Sequence, residues 1–206
     1  MIEPNEAAEP SGASRGSANT RADGVRVAHP LFQAGGDGSM PISALCLTVE
    51  RIPMDMACDL NRRWHSRLPK IEKSNVLRNA DYVCYGAMCG GIAYAAAIWS
   101  SPVARLLNDG RTLELRRLAI APDAPRNTAS RMLAVMRRLV VREKPHIERL
   151  VSYQDTEVHT GGIYRASGWT AAHLAKGREW TCPSRHRGGV QSAADKVRWE
   201  TQAKRN

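Results

Sequence analysis

Residues 113–120 read Leu-Glu-Leu-Arg-Arg-Leu-Ala-Ile, and residues 121–143 continue Ala-Pro-Asp-Ala-Pro-Arg-Asn-Thr-Ala-Ser-Arg-Met-Leu-Ala-Val-Met-Arg-Arg-Leu-Val-Val-Arg-Glu. The first block predicts a strand. In the second, Met132, Leu133, Met136, Leu139 and Val140 recur at helical spacing, with Arg131, Arg138 and Arg142 largely opposite. Asn127 or Thr128 suits the N-cap, and Pro145 ends the element. A second strand is expected over Ile147–Tyr153, then a short glycine-containing helix ending at Trp169. Strand, helix start, parallel strand and capping helix make a crossover unit, so the chain is read as α/β (α+β).

Working outward, Tyr82–Cys89 and Ile92–Trp99 flank Gly90-Gly91, the loop signature of a β-hairpin. Alanines at 93, 95, 96 and 97 leave room beside the second strand for a helix or a ligand. Ile42–Arg51 alternates like a strand. Pro53 suits the first turn of a helix that Met54, Ala57, Cys58, Leu60, Asn61 and Trp64 carry to His65. Ser66–Asn79 is basic and irregular. Downstream, short strands are expected over Thr170–Leu174 and Glu179–Cys182. From Pro183 on, Arg185, His186, Arg187, Lys196, Arg198, Lys204 and Arg205 face only Asp195 and Glu200, with Trp199 among them. That composition suits an arm tracking phosphates and equally an ordinary solvated tail. Residues 1–40 lack apolar periodicity and are expected to be disordered. The organisation read here is a disordered segment (1–40), a catalytic domain (41–182) and a basic tail (183–206).

A length of 206 residues fits one domain. Apolar residues make up 43 % with a single Phe, so the core must be aliphatic, with Met and Trp in its larger gaps. The net charge of +10 and pI near 9.8 point to a polyanion, nucleic acid first. Five cysteines without a C-x-x-C pair are expected as reduced thiols in a cytoplasm. No apolar run approaches the ~20 residues of a membrane span, and no export signal is visible.

Four places carry candidate chemistry. The helix start Arg126, Asn127, Thr128 to Ser130 offers free N–H groups and a macrodipole to an anion such as a pyrophosphate; a plain capped helix is the alternative. Arg116 and Arg117 sit on a strand whose alternation should send them to opposite faces. One of them is then suited to bind phosphate or carboxylate, or to pair with Glu114 or Asp155. Asp155 ends a strand and Tyr164 lies on the next helix; an acid and a phenol there can orient an amine, bind a metal or protonate a thiolate. The alternative is a cap and a packed ring. His65 ends a helix as a base, a ligand or a favourable cation, the last being preferred on sequence grounds, and His159 is its rival.

Leu113–Ile120, Arg126-Asn-Thr-Ala-Ser130, Ser152-Tyr-Gln-Asp155, Gly161-Gly-Ile-Tyr164-Arg-Ala-Ser-Gly-Trp169 and Trp64-His65-Ser66 together resemble the Mom-type DNA modification proteins of phages. That resemblance implies a GNAT-like mixed central sheet flanked by helices. It implies conversion of adenine in double-stranded DNA to its N6-carbamoylmethyl form in the host cytoplasm, protecting phage DNA from restriction. His65, Arg116, Asp155 and Tyr164 match the family's active-site positions, and Ser130 lies near the expected CoA phosphates. Acetyl-CoA and a ferrous ion are the implied cofactors, with His65 and Asp155 as the metal ligands. The glycines usual in an acetyltransferase phosphate loop are missing between Ile120 and Ser130. Arg67, Lys70 and Lys73, with Arg185 and Arg187, are the expected phosphate contacts. An N-acetyltransferase for a protein or small amine shares this fold, as would a non-catalytic DNA-binding protein. Pairing into a homodimer through a sheet edge is compatible with the sequence but not required by it.

Overall fold

The computed structural model describes residues 40–68, 70–71, 73–77, 81–177 and 194–204. Its strands are β1 (Thr48–Arg51), β2 (Tyr82–Cys89), β3 (Ile92–Ser100), β4 (Thr112–Ile120), β5 (Arg149–Asp155), β6 (Thr170–Ala175) and β7 (Lys196–Gln202). The helices are α1 (Met54–Trp64), α2 (Lys73–Leu77), α3 (Thr128–Glu143) and α4 (Gly162–Ala166). The strands form one mixed sheet in the order β1-β2-β3-β4-β5-β7-β6. Only β4 and β5 run parallel; every other neighbour is antiparallel.

The hairpin β2–β3 turns at Gly90 and Gly91, both with positive φ (54° and 77°), the conformation a two-residue turn demands. Strand alternation then divides the core. Val83, Tyr85, Ala87, Ala97 and Trp99 face α3, where Met132, Leu133, Met136 and Val140 are fully buried. Cys84, Met88, Ala96 and Ile98 face α1, meeting Met56, Ala57 and Leu60. Each of the larger of these, the Val, Leu, Ile and Met side chains, contributes about 2 kcal/mol. The alanines of β3 therefore admit helices on both sides.

Three register shifts interrupt the sheet, between Ala87 and Met88, between Ile98 and Trp99 and between Ala171 and His173. At the second, Ile98 pairs with Arg117 and Trp99 with Leu115, so Arg116 is the extra residue on β4. Leu115 and Leu118 both pack toward α3 although three positions apart. Arg116 and Arg117 consequently share the α1 side, and the alternation expected from sequence fails there.

Three further expectations change. Ala44–Cys46 is a 3-10 turn capped by Ser43, so the first strand begins only at Thr48. The loop at 66–79 contains the short helix α2. The basic tail is in part a strand: β7 lies between β5 and β6, with Trp199 buried against the α3-side core. The expected disorder over 1–39 and the expected strand at Glu179–Cys182 lie outside the described residues. Cys46, Cys58, Cys84 and Cys89 are free thiols. No helix among the described residues is long and apolar enough to cross a membrane.

Candidate functional site

β4 and β5 pair only over Thr112–Leu115 and Arg149–Ser152, then run on separately to Ile120 and Asp155. The sheet forks there. The bulge at Arg116 starts the divergence, and backbone groups of Arg116–Ile120 on the β5 side face the gap instead of a partner strand.

On the α3 side the fork opens into a cleft of about 380 Å³, lined by Ile120, Asn127, Thr128, Ser130, His159 and Gly161 among others. Among the described residues no carboxylate lines it. Asn127 is the N-cap of α3 with φ 67°, a left-handed conformation that Asn tolerates better than most residues. The Thr128 hydroxyl donates to the Pro125 carbonyl at 2.6 Å, and Ser130 Oγ donates to the Asn127 carbonyl at 3.1 Å. Backbone N–H groups of Ala129 and Ser130 have no acceptor among the described residues. Three of the residues expected to hold an anion, Asn127, Thr128 and Ser130, thus line the cleft; Arg126 is exposed and does not.

The opposite wall starts at Gly161, with φ 76°. A Cβ there would sit 2.5 Å from Trp199 Cζ2 and 2.7 Å from Gln154 Oε1. Gln154 is held by Trp199 Nε1–H at 2.7 Å and donates to the His159 carbonyl. Tyr164 is buried, stacked on Trp199 (5.2 Å, 11°) and edge-on to Trp169 (5.7 Å). Its hydroxyl shares a 2.8 Å hydrogen bond with that of Ser152, on the last rung before the fork. Burial raises the phenol's pKa, outweighing the Ser152 contact, so Tyr164 stays protonated at neutral pH.

The α1 side carries the charged groups. Arg116 donates to Ser100 Oγ at 3.3 Å, and its Nε lies 3.5 Å from Glu114 Oε1. Arg117 lies in electrostatic reach of Arg116, Glu114 and His65. Asp155 alternates with Ser152 and Gln154, which both face α3 and α4, so its side chain projects on the other face of β5. Its Oδ1 accepts the Glu157 N–H at 3.0 Å, closing the turn after the strand. Asp155 and Tyr164 therefore stand on opposite faces of the sheet, and only the fork connects them.

His65 is the C-cap of α1, where Nδ1 accepts the Leu68 N–H at 3.1 Å. Burial, then the electrostatic influence of Arg117 and of His159, lowers its pKa to about 4. The helix-end cation favoured from sequence is thus corrected: the ring is neutral, and its proton sits on Nε2. That tautomer leaves no ring lone pair for a metal, because a ligating histidine donates from its other nitrogen instead of accepting there. Asp155 spends one oxygen on its own turn. Among the described residues no group of three or more His, Cys, Asp or Glu is placed to hold a metal. The side chains present do not fit the implied ferrous ion.

Of the expected phosphate contacts, Arg67 is paired with Glu157 at 2.8 Å and Lys73 with Asp55 at 2.6 Å, while Lys70 is exposed. Arg185 and Arg187 lie outside the described residues. Sequence reasoning quoted Ser152 and Gln154 only within the family-like block Ser152-Tyr-Gln-Asp155 and gave neither a role. Their buried polar side chains on alternate positions of an otherwise apolar strand were the available signal.

Among solved structures, the chain is similar to the ribosomal-protein-S18-alanine N-acetyltransferase of Escherichia coli (15 % identity, 78 % of this chain and 96 % of that one, TM-score 0.53). It is similar to spermidine N-acetyltransferase of Vibrio cholerae in complex with CoA and spermine (9 %, 77 % and 96 %, TM-score 0.55). It is also similar to a Desulfovibrio desulfuricans structure of the GNAT family (14 %, 77 % and 99 %, TM-score 0.54). At these identities the likeness establishes the fold, which is GNAT-like. No curated protein sequence matches the chain. The model of the Mom protein family matches residues 46–205, from the turn before β1 through the end of β7, and the chain belongs to that family.

Proposed function

We propose that this protein is a CoA-dependent transferase that modifies the exocyclic amine of adenine in DNA, in the Mom manner, to its N6-carbamoylmethyl form. Its setting would be phage DNA in the host cytoplasm, where the modification evades restriction. The observation that carries the reading is the fork. It joins an acid-free cleft at a helix start on one face to a cationic site on the other, so donor and base can approach from opposite sides.

The cleft fits a CoA pyrophosphate: Ala129 and Ser130 present free N–H groups at the positive end of α3, and no carboxylate opposes an anion there. Bound CoA would supply a thioester-activated carbonyl, which in the carbamoylmethyl product is the amide carbon, while N6 bonds the adjacent methylene. The strand edge Arg116–Ile120 offers amide partners along the gap. Tyr164, protonated and fixed by Ser152 at the fork's root, is a proton donor. An adenine amine is a poor nucleophile because its lone pair is delocalised into the ring, so the base must leave the stack and lose a proton. Asp155 keeps Oδ2 for that proton, while His65, with Nδ1 occupied, offers Nε2–H to a ring acceptor.

Mass spectrometry of nucleosides from cells expressing the chain tests the reading. A heavier deoxyadenosine is expected. Unmodified DNA together with an acetylated protein or small amine would replace it with the N-acetyltransferase reading, and DNA binding with neither product would leave a binding protein.

A further inference from the structure

The bulge that opens the fork also leaves one guanidinium without a carboxylate in ion-pair contact among the described residues. Arg116 and Arg117 lie on the same side of β4, and the carboxylate beside them is Glu114. Glu114 is engaged already: Oε1 lies 3.5 Å from Arg116 Nε, and Oε2 accepts the Val103 N–H at 3.0 Å. Arg117 donates Nη1–H to the Arg116 carbonyl at 2.6 Å, while its Nε is buried with no hydrogen-bond partner among the described residues. A largely desolvated guanidinium with an idle N–H is an expensive arrangement for a fold to keep. Burial, then the neighbouring Arg116, pull its pKa down to about 10, which still leaves it charged at pH 7. Its position is fixed by a central strand, and its charge reaches His65, which in turn feels His159 on the rim of the cleft.

We propose that Arg117 is a substrate-positioning residue that anchors a phosphodiester of the polynucleotide beside the nucleotide entering the fork. A phosphate oxygen takes the N–H groups of Arg117 Nη2, which is neither fully buried nor hydrogen-bonded among the described residues, and a guanidinium can offer two parallel donors to one phosphate. His65, neutral and donating from Nε2, adds a hydrogen bond without adding charge. Arg116 is excluded from this role by its contacts with Glu114 and Ser100. The inference rests on the DNA reading above and adds to it the residue that sets the register of the strand.

The test uses the full chain with Arg117→Gln and Arg117→Lys, each checked for folding by thermal melting. DNA binding is followed by fluorescence anisotropy across a salt series. Arg117→Gln is expected to lower affinity roughly tenfold at low salt and to reduce the slope of log affinity against log salt by about one. Arg117→Lys is expected to keep the slope, since the charge remains, while losing modification through the lost fork geometry. Equal slopes and affinities for wild type and Arg117→Gln overturn the anchor and leave the DNA reading standing. If wild type binds no DNA, the DNA reading falls, and the polynucleotide anchor with it. The Arg117 Nε–H resonance in sodium phosphate then reports on the residue independently: a shift reassigns it to a free anion, and no shift overturns an anion site altogether. Should Arg117→Gln fail to fold, the same resonance in wild type decides the matter. It is expected to move on adding duplex DNA at concentrations where inorganic phosphate leaves it in place; an unmoved resonance overturns the anchor.

Discussion

The hydroxyls of Tyr164 and Ser152 meet at 2.8 Å on the last rung shared by β4 and β5. The contact fixes a phenol at the root of the fork while the ring stacks on Trp199. Tyr164→Phe keeps the stack and removes one buried hydrogen bond, so it should cost only about 1 kcal/mol of stability yet abolish adenine modification. Thermal melting paired with nucleoside analysis checks this, and full modification by the variant would remove Tyr164 from the chemistry. Ser152→Ala should weaken activity less, because the phenol remains but is no longer aimed.

Gly161 has no room for a side chain. Its φ of 76° and the 2.5 Å approach of Trp199 to an added Cβ act together. Gly161→Ala should therefore destabilise the fold by roughly 2–4 kcal/mol, read as a lower denaturant midpoint. It should also disturb the cleft wall. A midpoint equal to wild type would mean that the Trp199–Gln154 pair does not pack against this turn.

His65 gives a pH signature. Its folded pKa, about 4, lies below the usual 6.5, so the unfolded chain takes up the proton first as pH falls. The stability it contributes is complete above pH 6.5 and declines toward pH 4. Asp81 acts in a lower window. Burial alone would raise its pKa, but Lys144 (2.5 Å) and His146 (3.0 Å) together outweigh burial and lower it beneath 3.8. Its contribution is lost only as pH falls through that lowered value. Denaturant midpoints from pH 7 to pH 3 should drop in two stages, and His65→Gln should flatten the upper one. A His65 resonance titrating near 6.5 would refute both its burial and its tautomer.

Arg67 and Glu157 bridge the loop after α1 to the loop after β5 at 2.8 Å. A DNA phosphate must compete with Glu157 for Arg67. Glu157→Gln should therefore tighten DNA binding a few-fold and steepen its salt dependence, as one more cation becomes available. Anisotropy titrations decide, and weaker binding by Glu157→Gln would show that the pair shapes the DNA surface instead of blocking it.

How far these features could be read in the sequence depended on whether the governing physics is local. The hairpin at Gly90-Gly91 and the amphipathic helix over 128–143 are set by neighbours in the chain, and both were legible. The cap was legible only as Asn127 or Thr128: Asn127 takes the position, but in a left-handed conformation and without the side-chain capping bond that suggested it. The bulge at Arg116 was not: no glycine marks it, and it arises from how β3 and β4 register across the sheet. Hence the two arginines were assigned to opposite faces. β7 was hidden differently. Val197, Trp199 and Thr201 alternate with Lys196, Arg198 and Glu200, but only two of the seven residues are large and apolar, and the surrounding charge suggested a tail. Ile42–Arg51 misled in the opposite sense, since Leu45 alternates well yet is 75 % exposed. Asp155 and Tyr164 are close in sequence, and strand parity places them on opposite sides of the sheet.

The late position of β7 bears on how the molecule is made. A ribosome delivers Lys196–Gln202 only after every other described strand, yet these residues fill the slot between β5 and β6 and bring Trp199 to Gln154, 45 positions earlier. Until they emerge, β5 and β6 expose unzipped borders, and the phenol of Tyr164 lacks its stacking partner. A nascent chain stalled before Lys196 would leave those borders open and sticky, so the α3-side core around Tyr164 is completed only after Lys196–Gln202 has emerged.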